Sequence, residues 1–205
     1  MPLSYEEIHE KIHSLQAQLE HEFDQLLSQK RADFKYQLRK RRVIFEKGIR
    51  DLHRKYKIGI WPYLKNSNPL YIITAPIIYG VIIPLVLLDI AIFIYQQICF
   101  RVYGIPIISR SNYIVIDRHH LSYLNGIEKF NCIYCGYGNG LIEYIREVFA
   151  RTEQYWCPIK HARRANKTHP YVEKFVDYGD AENYKKKLNT LRKQLKNDDS
   201  KQSQK

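Results

Sequence analysis

The sequence has few cysteines, and it has two long stretches that lack, respectively, helix breakers and charge. Four cysteines in 205 residues are too few for a disulfide-dense secreted scaffold. Pro and Gly are absent from Leu3 to Lys47, so the residues that most often interrupt a helix are missing there. Charge is absent from Leu70 to Leu88. So long an uncharged run excludes an ordinary soluble globule.

The uncharged run predicts a membrane segment over residues 70–100, in which Asp89 is the one charged side chain. About twenty apolar residues are enough to cross the hydrocarbon core of a bilayer. Pro76, Gly80 and Pro84 can kink or break a helix here. Two arrangements follow, a tilted single span and a re-entrant hairpin with both flanks on one face. Because a charge is costly inside a bilayer, Asp89 should pair, lie near an interface or face a cavity.

The charge of the chain is strongly positive and unevenly placed. Lys and Arg number 33 against 21 acidic residues, for a formal net charge of +12. The first 28 residues are acidic, whereas residues 29–57 carry twelve Lys/Arg against three acids. Basic clusters that flank an apolar segment favour a lipid bilayer with anionic head groups as the partner. No nucleotide-binding Gly loop or RNA-binding signature is present, and no nucleic acid partner is expected.

The N-terminal residues show the three- and four-residue spacing of an amphipathic helix. We expect a long helical arm over residues 1–60, with coiled-coil character, that forms a homodimer or binds a protein partner. The alternative is a helix folded back on the C-terminal part of its own chain. The apolar positions are Ile8, Ile12, Leu15, Leu19, Phe23 and Leu26, followed by Phe34, Leu38, Phe45, Ile49, Leu52 and Tyr56.

The cysteines have the spacing of a metal site. Cys132 and Cys135 are separated by two residues, and after a spacer of 21 residues come Cys157 and His161, separated by three. Zinc prefers four thiolate or imidazole ligands that arrive as two close pairs. Gly136 directly after Cys135 would allow the positive φ of a knuckle turn. The pattern therefore predicts a structural zinc site on Cys132, Cys135, Cys157 and His161.

Other chemistry fits the same residues. Thiolates also hold iron or an iron–sulfur cluster, and Cys132 with Cys135 would make a redox dithiol. Buried cysteines without a metal are a further alternative. A carboxylate–histidine iron site is a weaker one, because the Glu-x-x-His spacing of such sites is absent. Its candidate ligands are Glu143, Glu147 and Glu153 with His119, His120 and His161.

The predicted fold is mainly α, in four parts. Residues 1–60 form the arm, 70–100 the membrane segment, 101–180 a Cys/His-organised module, and 181–205 a basic helix that ends in a disordered tail. Within the module, a helix is predicted from Leu141 to Trp156, and residues 113–116 have the composition of a strand.

Two motifs resemble an uncharacterised family of bacterial membrane proteins. They are the run from Glu128 to Leu141 around Cys132 and Cys135, and the run Arg151–Ala162 around Cys157 and His161. The resemblance implies a bacterial cytoplasmic membrane but no reaction. We expect the Cys/His module on the cytosolic face of a membrane-anchored scaffold or interaction protein. The alternative is a membrane-bound redox or lipid-modifying enzyme that uses an iron or zinc centre or the dithiol.

Overall fold

The computed structural model describes residues 5–34, 36–39, 42–45, 48–163 and 168–197. The chain is mainly helical, as predicted. It divides into two compact units, a first unit of residues 1–62 and 117–129 and a second unit of residues 63–116 and 130–205.

The first unit begins with helix α1, Tyr5–Asp33, and continues with a β-hairpin. Strand β1, Tyr36–Arg39, pairs antiparallel with β2, Arg42–Phe45. The arm is therefore not helical throughout, which corrects the prediction from residue spacing alone. Strand β2 contains two β-branched residues and a phenylalanine, which fit a pleated surface better than a helix. Tyr36 lies opposite Phe45, with ring centroids 5.8 Å apart.

The first unit also contains helix α2, Ile49–Arg54, the first half of α3, Ile60–Lys65, and the start of α7. Helix α7 runs from Gly126 to Trp156, fifteen residues longer at its N-terminus than predicted. A reciprocal cap explains the early start. The Asn125 side chain accepts from the Glu128 amide at 3.0 Å, and the Glu128 carboxylate accepts from the Asn125 amide at 2.8 Å.

The second unit is built on a long apolar helix, Pro69–Tyr103. It comprises α4, Pro69–Gly80, α5, Ile82–Tyr95, a π-helical turn, Gln96–Phe100, and α6, Arg101–Tyr103. Val81 between α4 and α5 keeps right-handed backbone angles, and the missing amide of Pro84 explains the irregular turn. At 1.5 Å per residue the helix is about 52 Å long.

Helix α7 lies alongside the apolar helix and runs in the same direction. Near one end, the Tyr79 hydroxyl donates to Asn131 at 2.5 Å. Further along, the hydroxyls of Tyr95 and Thr152 lie 3.0 Å apart. At the other end, the Tyr103 ring stacks on Tyr155 at 5.3 Å. Two parallel helices need a connection that returns along their length.

The return segment, residues 104–116, is the part of that connection that belongs to the second unit. It begins at Gly104, whose φ of 66° favours glycine, and it runs back between the two helices without forming the predicted strand. Gln96 donates to the Ile108 carbonyl at 3.1 Å. Gly140 of α7 lies so close to residue 114 that an added Cβ would stand 2.7 Å from the Ile114 Cα. The buried core of this unit gathers on the segment: Phe100, Ile105, Ile108, Leu141, Tyr144, Val148 and Leu195.

Helix α8, Ala181–Asn197, closes the core at the C-terminal end of α7. Its leucine spacing predicted an amphipathic helix, and Leu191 and Leu195 are buried. Arg192 donates to the Tyr155 carbonyl at 2.7 Å and lies over the Tyr155 ring. The disordered tail predicted beyond Asn197 lies outside the described residues.

Candidate functional site

The two cysteines of the Cys-x-x-Cys motif lie on helix α7. Cys132 is half-buried and Cys135 is exposed, and residues three apart occupy neighbouring positions on one helical face. The knuckle turn predicted at Gly136 is wrong, because this glycine is helical and buried. Among the described residues, positive φ values occur at glycines 48, 104 and 179. The capped start of α7 extends the helix through the motif.

The second pair of predicted ligands follows the end of α7. Cys157 is exposed, and its amide donates to the Glu153 carbonyl at 2.8 Å. His161 is exposed as well. Twenty-one helical residues lie between Cys135 and Cys157, and the 22 steps from one to the other cover about 33 Å at the α-helical rise.

The structure therefore does not bring the four predicted zinc ligands together. Within the described ranges, no three His, Cys, Asp or Glu side chains are close enough to hold one metal ion. One ion bound by all four ligands requires a conformation in which α7 is interrupted between the two pairs. Zinc, iron and the dithiol stay predictions for these residues.

The polar group of the apolar helix is paired across the second unit. Asp89 is 8% exposed and accepts hydrogen bonds from two nitrogens of Arg110 on the return segment. The Tyr137 hydroxyl of α7 donates to the same carboxylate at 2.8 Å. Hydrogen bonding to Asp89 is the largest cause of the raised pKa of Arg110. The expected pairing of Asp89 is thus present, and it ties three elements together.

A second polar cluster fixes the chain after α7. Glu147 accepts from Arg151 at 2.9 Å and from the Tyr171 hydroxyl at 2.6 Å. Burial is the largest cause of the raised pKa of Tyr171, and the bond to Glu147 adds to it. Glu153 lies 2.8 Å from the His169 ring.

These contacts bear on the carboxylate–histidine alternative. The partners of Glu147 and Glu153 are an arginine, a tyrosine and His169, whereas the histidines expected for such a site were His119, His120 and His161. The spacing of 24 residues between Glu147 and Tyr171 follows no helical or strand period, so residue spacing offered no signal for the contact. The cluster holds residues 168–174 against α7.

The outer surface of the second unit is the feature that sequence reasoning located best. The apolar helix is the one helix within the described ranges that is long and apolar enough to cross a membrane, by length and composition, and 11% of its most apolar window is buried. Ile73, Ile77 and Leu87 are 69%, 72% and 63% exposed. Its first ten residues expose apolar side chains on every side. From Val81 onward, Asp89, Ile92, Gln96 and Phe100 are buried along one side, and the rest of the helix surface exposes its apolar side chains: Val81, Ile83, Val86, Leu87, Leu88, Ile90, Phe93, Ile94, Ile98 and Val102.

Comparisons with protein-family models, with curated proteins and with solved structures gave no match for this chain. The resemblance to bacterial membrane proteins therefore stays an expectation.

Proposed function

We propose that the chain is an integral membrane protein whose apolar helix is embedded in a bilayer, and that it acts as a membrane-anchored scaffold. The observation that supports this proposal most strongly is the exposure of the apolar side chains along the apolar helix. Large contiguous apolar patches are rare on soluble monomers and mark membrane or protein contacts. Each fully buried Leu or Ile side chain contributes roughly 1.5–3 kcal/mol, so transfer of this surface into lipid strongly favours insertion.

The return segment favours insertion from one face over a full crossing. Ser109, Arg110, Ser111 and Asn112 are exposed, and Arg110 bonds to the middle of the apolar helix. An irregular backbone exposed to lipid leaves polar groups unsatisfied, which is disfavoured in the hydrocarbon region. We therefore infer that the exposed face of the helix lies in one leaflet and the return segment lies toward water.

This placement keeps both flanks of the helix on the same side of the membrane. The predicted re-entrant hairpin would also have both flanks on one side, but the helix between Pro69 and Tyr103 does not turn back on itself as a hairpin does. Lys65 before the helix and Arg101 near its end are exposed and suit anionic head groups. A bacterial cytoplasmic membrane, with the Cys/His residues on the cytosolic face, fits this proposal.

Helix α1 would supply the interaction part of the scaffold, and we propose a second copy of the chain as its partner. Leu15, Leu19 and Phe23 lie along one face and are 55%, 68% and 59% exposed. The first 28 residues are acidic, whereas the last turn of α1 contains Lys30 and Arg31. An antiparallel pair would bring opposite charges together and bury both apolar stripes. A different protein partner is the competing outcome.

A carbonate wash of membranes from expressing cells tests the insertion. The natural chain should stay in the pellet, because carbonate removes proteins held only by charge. Ile77→Arg/Leu87→Arg should move most of the protein to the supernatant, since each cation is costly in hydrocarbon. The matched control Tyr178→Arg changes an exposed apolar residue outside the apolar helix and should stay in the pellet. Release of the natural chain would refute insertion.

Labelling of single cysteines tests the one-sided placement. Cysteines placed at positions 57 and 185 of a chain without its own cysteines should react from the same side of sealed vesicles. Reaction from opposite sides would replace the one-leaflet arrangement with a single span.

A further inference from the structure

The first unit contains a cavity of about 540 Å³, a volume in the range of small-molecule sites. Three parts of the chain form it: the hairpin with the end of α1, the stretch around α2 that follows the hairpin, and the distant residues 117–123. Its lining residues share a strong aromatic character: Phe34, Tyr36, Val43, Phe45, His53, Tyr56, Asp117, Arg118, His120, Leu121 and Tyr123.

One wall of the cavity is a continuous row of four rings. Tyr36 contacts Phe45 at 5.8 Å between centroids, Phe45 contacts His53 at 5.4 Å, and His53 contacts Tyr123 at 5.5 Å. The last two contacts are edge-to-face, which is a favoured aromatic geometry. Because neighbouring rings are tilted or nearly perpendicular, the row offers a ligand both ring faces and ring edges, and the ring contacts hold the four side chains in place.

The polar groups of the lining are mainly basic. The Arg118 side chain is exposed and makes no ion pair or hydrogen bond within the described part of the chain. Nδ1 of His53 is buried and likewise has no hydrogen-bond partner there. Because buried polar atoms nearly always have a partner, this nitrogen is a group that a bound molecule would satisfy.

We propose that the cavity binds a small organic monoanion with a flat apolar body. The aromatic row would stack on the body of the ligand, and the Arg118 guanidinium would bond its anionic group, as guanidinium groups do with carboxylates. Aromatic cages for organic cations use similar rings, and the Asp117 carboxylate in the lining would attract a cation. The exposed Arg118 guanidinium, without an ion pair in the described part of the chain, is the group that favours an anion. Asp117 in the same lining would repel a second negative charge, which favours a monoanion. The proposal does not depend on membrane insertion.

The test is a calorimetric titration of the full-length protein in detergent with 2-naphthoate, corrected against empty micelles. We expect saturable binding with a dissociation constant of roughly micromolar to millimolar size for a ligand this small. Arg118→Gln should weaken binding about tenfold through loss of the charged hydrogen bonds. Tyr123→Ala should weaken it by a similar factor through loss of stacking. An absence of saturable binding to the natural chain would refute the site.

Matched controls separate the cavity from general effects. Arg50→Gln removes another exposed arginine of the first unit, and Tyr178→Ala removes an exposed tyrosine of the second unit. Both should bind 2-naphthoate as the natural chain does. Circular dichroism should give the same helix content for every variant, because the replaced side chains are exposed and Tyr123→Ala removes one ring contact outside the helices.

Three further probes test the class of ligand. Uncharged 2-naphthylmethanol, cationic 2-naphthylmethylammonium and the non-aromatic octanoate should each bind at least several-fold more weakly than 2-naphthoate. Equal affinity for the alcohol, or an unchanged affinity in Arg118→Gln, would remove the role of the anion. Tighter binding of the ammonium compound would make the cavity a cation cage, and tighter binding of octanoate would refute the flat body.

Discussion

Helix α1 and the apolar helix both expose large apolar side chains, but they distribute them differently. In α1 the apolar residues form one stripe among acidic and basic residues, so the helix as a whole is polar. The apolar helix has no charge before Asp89 and exposes apolar residues all round its first ten positions. One partner helix can bury an apolar stripe. A helix that is apolar on all sides needs an apolar environment all round it, such as lipid. Exposure alone therefore does not distinguish a protein interface from a membrane surface, and distribution around the helix axis does.

The largest effect on stability is expected where the apolar helix carries its one charge. Arg110→Met would leave the nearly buried Asp89 carboxylate without its cation, which we expect to lower the free energy of unfolding by about 2–3 kcal/mol, less than for a fully buried pair because the Arg110 side chain is 46% exposed. Adding Asp89→Leu should restore most of the loss, because a well-packed apolar pair tolerates this environment. Denaturant unfolding in detergent, followed by circular dichroism, measures both.

Arg54→Met is the matched control, since it removes an exposed arginine whose partner Asp51 lies 3.8 Å away. It should change the free energy by less than about 1 kcal/mol. If Arg110→Met were as mild as this control, the ion pair would not hold the return segment on the apolar helix.

The next effect concerns the close approach that lets α7 follow the apolar helix. The Cβ of Gly140→Ala would stand 2.7 Å from backbone atoms of the return segment, so we expect a loss of about 1–3 kcal/mol. Gly138→Ala is a control on the same helix, because its Cβ would meet only Leu85 at an ordinary 3.6 Å. That variant should be neutral or more stable by up to about 1 kcal/mol. Equal melting curves for the two variants would contradict the described packing of α7.

Helix α1 allows a test of the stripe itself. Leu19→Lys should weaken self-association of the full-length chain in detergent about tenfold or more, because it places a charge in the proposed interface. Ala17→Lys, on the opposite face of the helix, should leave it unchanged. Sedimentation equilibrium measures the association. A natural chain that is monomeric at all accessible concentrations would shift the proposal to a different protein partner.

The smallest effect is expected at the predicted metal ligands. In the described conformation Cys157 is exposed, so Cys157→Ser should change the free energy of unfolding by less than about 0.5 kcal/mol. A zinc site on the four predicted ligands would instead make the variant lose metal and much of its stability. Elemental analysis of the purified natural chain and the variant, together with unfolding curves, separates the two results.

Particular residues show how far the sequence could be read. The apolar helix and α8 could be predicted from composition and from the period of their apolar residues. Pairing was one of the outcomes expected for Asp89 from the cost of an isolated charge in a bilayer. The hairpin of β1 and β2 could not be predicted, because its apolar residues also fit a helical period. The pairing of Tyr36 with Phe45 favours the hairpin over a helix. The early start of α7 had a local signal in Asn125 and Glu128, but the glycines after Cys135 suggested a turn.

The sequence by itself determined that residues 70–88 are apolar enough to favour an apolar environment and that α1 is amphipathic. Both properties depend on side chains that are near neighbours along a helix. Only the tertiary structure decided which cation meets Asp89, where Gly140 is needed, and that the Tyr123 ring meets His53 in one cavity. Those contacts join residues many positions apart. They depend on how helices pack against a returning chain, and a local period carries no information about that packing.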